Sequence, residues 1–209
     1  ILLLLYWAVM ALVPIPGVGA GFYEPTKNLA IYVDDAVLGH WQEGAGWTYI
    51  VTSMTFVCSV MLGVFAGQIL LSMRTQMRKA GELALLGIAC VLAGQIWGIW
   101  FPIIHHIWTS SLVLYAGGLS YLLLSLFYLV IDVWGYKKWA FFFVVIGMNA
   151  IAVYVATHLF DFKLIGNVFV GGLAKWLGPW NEFVQEAAAL TVIWLILYWM
   201  YSRKTFIKI

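Results

Sequence analysis

Long apolar runs, broken by short polar stretches, dominate the chain. Five of them are long enough to cross about 30 Å of hydrocarbon at about 1.5 Å per helical residue: Trp47–Met73, Leu83–Phe101, Ile107–Ile131, Trp139–Phe160 and Phe183–Tyr201. No alternating apolar–polar pattern of the barrel type runs through them. Helices are the remaining solution, because an unpaired backbone group in lipid costs several kcal/mol. The expected fold is all-α, a polytopic transmembrane helix bundle. Connections are expected at Arg74–Glu82, Pro102–His106, Asp132–Lys138 and Asp161–Glu182, with a long loop over 14–46.

The first apolar run, Ile1–Val13, is too short for a span, which needs about 20 residues. It reads as the second half of a helix, a partial N-terminal span. The 209 residues are therefore expected to form a single transmembrane domain that is the C-terminal part of a longer protein.

Composition supports the lipid setting. Of the residues, 64% are hydrophobic and only 10% charged, against about 25% charged in average soluble domains. A net charge of +2 with no dense basic run argues against a nucleic-acid partner and leaves the lipid bilayer as the surrounding phase. Basic residues also orient the spans. Arg74, Arg78, Lys79, Lys137, Lys138, Arg203, Lys204 and Lys208 fall on one side, and only Lys27, Lys163 and Lys175 on the other. The positive-inside rule then places the first group and the end of the chain in the cytoplasm, and the loop over 14–46 outside. Glu24, Asp34, Asp35, Glu43, Asp161, Glu182 and Glu186 take the outer side or its boundary, as do His40, His105, His106 and His158.

Inside the spans, Thr55, Ser59, Gly63 and Gly67 recur every four residues, as do Cys90, Gly94 and Gly98. Small residues at that spacing let membrane helices approach closely, so packing is the expected role. Cys58 and Cys90 sit in apolar runs and imply no disulfide framework. Tryptophans near span ends, Trp41 and Trp134 among them, read as an interfacial belt. Gln68, Gln95 and Asn149 lie within apolar helices, where a polar group serves either an interhelical hydrogen bond or a cavity. Gln185 and Glu186 stand one turn into the last helix, where a carboxylate complements the helix dipole. His105 and His106 are adjacent, so they point about 100° apart on a helix. With no Cys or carboxylate close by to complete a ligand set, no metal site is expected.

Several stretches, in order, carry a resemblance: Val13-Pro-Ile-Pro-Gly17 with Gly19-Ala-Gly21, Ile31-Tyr-Val-Asp34 with Leu38-Gly-His40, and Leu62-Gly-Val-Phe-Ala-Gly67. They continue with Ile107-Trp-Thr-Ser-Ser111, Ile131-Asp-Val133, Gly147-Met-Asn-Ala-Ile151 and the closing Tyr201-Ser-Arg-Lys-Thr-Phe-Ile-Lys-Ile209. Together they resemble the C-terminal half of the heparan-alpha-glucosaminide N-acetyltransferase family and its bacterial relatives. The resemblance implies an integral membrane acyltransferase, expected in a bacterial inner membrane, that uses cytosolic acetyl-CoA as donor and acetylates an amino-sugar acceptor across the bilayer.

The family's essential His lies near a Trp-Asn-Gly sequence in its N-terminal half. No Trp-Asn-Gly occurs here, and His158 is displaced by one residue from a His of some relatives. No catalytic residue is therefore assigned to this chain. The missing N-terminal half of the same protein is expected to supply it, and the family implies a homodimer. By position in the matched motifs, Trp108, Ser110 and Ser111 are candidates for substrate binding, and Asn149 for the donor. Arg74, Arg78 and Lys79 form a basic cluster that could attract CoA phosphates, or serve topology and anionic headgroups instead. The alternative function is a non-catalytic membrane subunit of a larger complex that retains the fold. A transporter is disfavoured, since neither inverted repeats nor broken helices are legible.

Overall fold

The structure is a computed structural model that describes residues 1–24, 27–39, 47–174, 176 and 178–207. His40, Glu43, Lys175 and Lys208, placed by side above, and Trp41 of the interfacial belt lie outside the described residues. Helix makes up 73% of the structure, which makes the fold all-α. Two compact units divide the chain, Ile1–Gly135 and Tyr136–Ile209.

In the first unit, α1 (Leu2–Leu12) leads into a turn region and a two-stranded hairpin, β1 (Tyr23–Glu24) and β2 (Lys27–Asn28). Then follow α2 (Leu29–Leu38), α3 (Ser53–Leu71), α4 (Gln76–Gly98) and α5 (Ser110–Tyr128), the last prolonged by a π-helical turn, Leu129–Val133. The second unit contains α6 (Phe141–Gly147), α7 (Ala150–Leu159), α8 (Phe162–Ala174) and α9 (Asn181–Ser202).

Four helical stretches are long and apolar enough to cross a membrane: Ser53–Leu71, Gln76–Gly98, Ser110–Val133 and Gly178–Ser202. Only 11% to 22% of each apolar window is buried, so their outward faces need lipid as solvent. The fourth expected span, Trp139–Phe160, is not one straight rod. It is the pair α6 and α7, bent by 70° at a short break, and it makes a fifth crossing only if the pair counts as one. Asn149 sits at that break with φ −133° and ψ 38°, outside the helical region. Asparagine is a weak former of helix interiors, and this side chain caps neither flanking helix.

Two segments expected as connections are helical. Residues 76–82 form the first turns of α4, since Gln76, Met77, Arg78, Lys79, Ala80 and Glu82 are strong helix formers. Residues 162–174 form α8, and α2 lies within the stretch expected as a loop. α2 is capped by Asn28, whose side chain accepts from the Ile31 N–H at 2.9 Å.

The closest packing in the first unit is between α4 and α5. A Cβ on Gly94 would stand 2.6 Å from the Tyr115 backbone nitrogen, and one on Gly118 would stand 2.6 Å from that of Val91. Glycine is required at both, because the partner atom is main chain and cannot swing aside. Near α1, a buried cluster of Tyr6, Met10, Ile15, Leu29, Phe101 and Ile107 forms the main apolar core. Tyr6 donates its hydroxyl to the Ile107 carbonyl, and Ser110 donates to the Leu3 carbonyl at 2.7 Å. These two bonds fix α1 against the start of α5.

Candidate functional site

α3 and α5 build a groove between them. Along α5, Leu112, Val113, Ala116, Gly117, Ser120, Tyr121 and Leu124 recur at helical three- and four-residue spacing and present one face. Ser59, Leu62, Gly63 and Ala66 do the same on α3. Between these faces runs a cavity of about 470 Å³, within the size range of small-molecule sites. Gly63 has open space where a Cβ would be, so its missing side chain widens the groove and packs nothing. The every-fourth-residue pattern on α3, read from sequence as packing, therefore serves a cavity at Ser59 and Gly63. On α4 the same pattern serves close approach at Gly94.

One end of the groove is polar. Trp108 donates its indole N–H to Ser59 Oγ at 3.0 Å, and Ser59 donates onward to the Thr55 carbonyl at 3.1 Å. Thr55 donates to the Thr52 carbonyl at 2.8 Å, and Thr52 to that of Thr48 at 2.6 Å. These hydroxyls satisfy themselves against their own backbone, leaving the indole as the bond that ties the two walls at this end. His105 also lines this end, its ring 5.2 Å from Trp108 and 4.7 Å from Trp47. Trp108 itself has φ +46°, in the left-handed region that non-glycine residues avoid. Such strain costs roughly 1–3 kcal/mol and gathers where surrounding structure holds a side chain for use. At the other end, Tyr121 donates its hydroxyl to the Leu62 carbonyl at 2.6 Å and closes the groove across α3 and α5.

The candidates named from sequence separate. Trp108 lines the groove. Ser110 and Ser111 do not; both are fully buried and hold backbone. Ser111 donates to the Phe101 carbonyl at 2.6 Å, and Thr109, the residue before α5, receives the Ile104 N–H at 3.1 Å. Their part is to fix the turn that aims Trp108. His105, Ser59 and Gly63 are groove residues that sequence reasoning gave other roles, and Tyr121 is a groove residue it gave none. The signal for Ser59 and Gly63 was present as spacing, but spacing alone does not tell a groove wall from a packed seam.

Arg74, Arg78 and Lys79 come together at the start of α4, with Glu82 among them. Glu82 receives bonds from Arg74 and from Arg78 Nε, the latter at 3.1 Å, and Lys79 donates to the Leu70 carbonyl at 2.7 Å. The cluster is thus partly neutralised, while Arg78 stays mostly exposed. A small cavity of about 250 Å³, lined by Gln68, Ser72 and Arg74, adjoins it.

In the second unit, Asn149 is fully buried. Its carboxamide receives the Ile207 N–H at 3.0 Å and donates to the Thr205 carbonyl at 3.3 Å. Lys163 of α8 pairs with Glu186 of α9 at 2.5 Å, and that carboxylate raises the lysine's pKa above its ordinary value. Glu186, read from sequence as a dipole complement, is an ion-pair partner. Among the described residues, no group of three or more His, Cys, Asp and Glu side chains is placed to hold a metal ion.

Comparison with known proteins bears on what such a site belongs to. No protein-family profile matches the chain. Human heparan-alpha-glucosaminide N-acetyltransferase is 26% identical over 95% of the chain, and the mouse enzyme of the same name is 25% identical over 98%. The chain is similar to these acetyltransferases along nearly its whole length. It spans about a third of their length, 34% and 36% respectively, in their C-terminal part. The resemblance carried by the ordered motifs is therefore the one found by overall comparison.

Proposed function

We propose that this chain is part of a membrane acyltransferase that takes acetyl from acetyl-CoA on the cytosolic side and delivers it to the amine of an amino sugar on the other. The observation that carries this reading is the similarity to two acetyltransferases over at least 95% of the chain. Helices of membrane length support it, because a polar donor and a polar acceptor must meet inside a structure that lipid surrounds. In this reading the α3–α5 groove receives the acceptor. An indole face suits the apolar face of a pyranose, and His105 beside it offers a ring nitrogen to a hydroxyl or amine.

Acyl transfer to an amine breaks the thioester C–S bond and forms a C–N bond, with one proton leaving nitrogen. A base must take that proton, and donors must stabilise the developing oxyanion. Neither role is assigned within this chain; residues outside it would complete the centre. Arg74 and Arg78 would draw the donor's phosphates to the cytosolic end of α4, with the bacterial inner membrane as the setting.

The intact protein in proteoliposomes tests this reading. With radiolabelled acetyl-CoA on one side and glucosamine on the other, N-acetylglucosamine is expected to accumulate on the acceptor side. Vesicles that bind no acetyl-CoA and form no acetylated sugar from either side would overturn it.

A further inference from the structure

α9 ends at Ser202, and the backbone then turns back rather than continuing away. Lys204 takes φ +55°, the Lys204 N–H bonds to the Tyr201 carbonyl at 3.0 Å, and the Thr205 N–H bonds to that of Met200 at 2.9 Å. This reversal brings residues 205–207 to the break between α6 and α7. There Asn149 grips the segment by both halves of its carboxamide: Thr205 C=O takes its N–H, and Ile207 N–H gives to its oxygen. The two groups belong to successive amides, a carbonyl followed by an N–H, with only the Phe206 Cα between the amide planes. Asn149 is 0% exposed, so whatever sits there replaces water completely. Ile207 also lines a cavity of about 350 Å³ walled by apolar side chains, among them Val153, Leu197 and Met200.

We propose that Asn149 is a recognition position for two amides in series, and that residues 203–207 occupy it as an internal stand-in which the pantetheine arm of the acyl donor displaces. The inference rests on the acyl-CoA reading above and names the part of the donor this position holds. Pantetheine presents the same order of groups as the segment does: the carbonyl of one amide, then the N–H of the next, separated by two methylenes instead of one Cα. A carboxamide that satisfies one pattern satisfies the other with a small change in spacing. The rest of the arm is methylenes, a gem-dimethyl carbon, one hydroxyl and the terminal sulfur, and its apolar groups suit the cavity at Ile207. Displacement is feasible, since the donor restores both hydrogen bonds that the segment gives up. The arrangement also keeps Asn149 satisfied when no donor is bound, which an empty buried site would not.

The test uses the intact protein in lipid nanodiscs with pantetheine as the probe and N-acetylcysteamine, which has a single amide, as the control. Ile207→Pro removes the N–H that Asn149 accepts and leaves Asn149 itself unchanged. It is expected to tighten pantetheine binding about fivefold, the equivalent of one lost competing bond, and to leave N-acetylcysteamine unaffected. In the unaltered protein, saturating pantetheine is expected to speed hydrogen exchange over residues 203–207 several-fold. That second measurement decides alone if Ile207→Pro does not fold. Pantetheine that binds without faster exchange, or a folded Ile207→Pro protein with unchanged affinity, overturns the proposal. So does an absence of pantetheine binding. Acetyl transfer from acetyl-CoA, measured on the same preparation, shows separately whether the acyltransferase reading survives.

Discussion

Trp108 and Ser59 join the two walls of the groove through one hydrogen bond, indole N–H to hydroxyl, at 3.0 Å. The indole comes from the residue with the strained backbone just before α5, and the hydroxyl from the second turn of α3. Trp108→Phe keeps an aromatic ring in place, removes the donor and gives up part of the indole's contact area. It is expected to lower stability by about 1 kcal/mol, read as a fall in Tm in detergent. Ser59→Ala is expected to cost a similar amount, and the double variant little more than either alone, because both remove the same bond.

Glycines at two kinds of position are expected to respond oppositely. Gly94→Ala and Gly118→Ala each push a methyl to 2.6 Å from main chain, so each is expected to destabilise by about 3 kcal/mol or more. Gly67→Ala meets nothing within 4 Å and is expected to be neutral or to stabilise by up to about 1 kcal/mol through helix propensity. Thermal unfolding of the three variants in one detergent checks the contrast.

Much of the fold is legible in the sequence because a span is a length-and-hydropathy signal. Three expected spans correspond to α3, α4 and α5 with shifted ends, and Phe183–Tyr201 lies within α9. The break at Asn149 was not legible as a break: apolar residues continue on both sides, and one polar residue reads equally as a bond between helices. α8 was missed because it is amphipathic and short for a span, so its polar flanks look like a loop. Trp108 was found through a motif. Its neighbours Ser110 and Ser111 share that motif yet face backbone, since a run of consecutive residues at a helix start cannot all face one groove.

Asp34 of α2 is fully buried and accepts two backbone N–H bonds, from Tyr49 at 2.6 Å and Ile50 at 3.0 Å. It therefore holds the turn that leads into α3. Asp34→Ala leaves two donors without partners and is expected to cost about 3 kcal/mol, whereas Asp34→Asn keeps one acceptor and is expected to cost less. Chemical or thermal denaturation in detergent resolves the two.

Glu82 ties down Arg74 and Arg78 at the start of α4. Exposed pairs of this sort contribute about 0–1 kcal/mol, so Glu82→Gln is expected to leave Tm nearly unchanged. Freed of the carboxylate, the cluster is expected to bind CoA several-fold more tightly at low salt, with the gain shrinking as salt screens it. Titrations at two salt concentrations measure both effects.

The central claim is that the α3–α5 groove receives the acceptor of an acetyl transfer. Gly63→Leu tests it most directly, because a Cβ there meets nothing within 4 Å and the new side chain grows into the groove that Gly63 lines. Acetylation of glucosamine from acetyl-CoA is the measurement, alongside Tm and acetyl-CoA affinity. The expected result is an unchanged Tm, unchanged donor affinity and at least a tenfold loss of acetylation that more glucosamine partly restores. Full acetylation at every glucosamine concentration by the stably folded Gly63→Leu protein would contradict the claim.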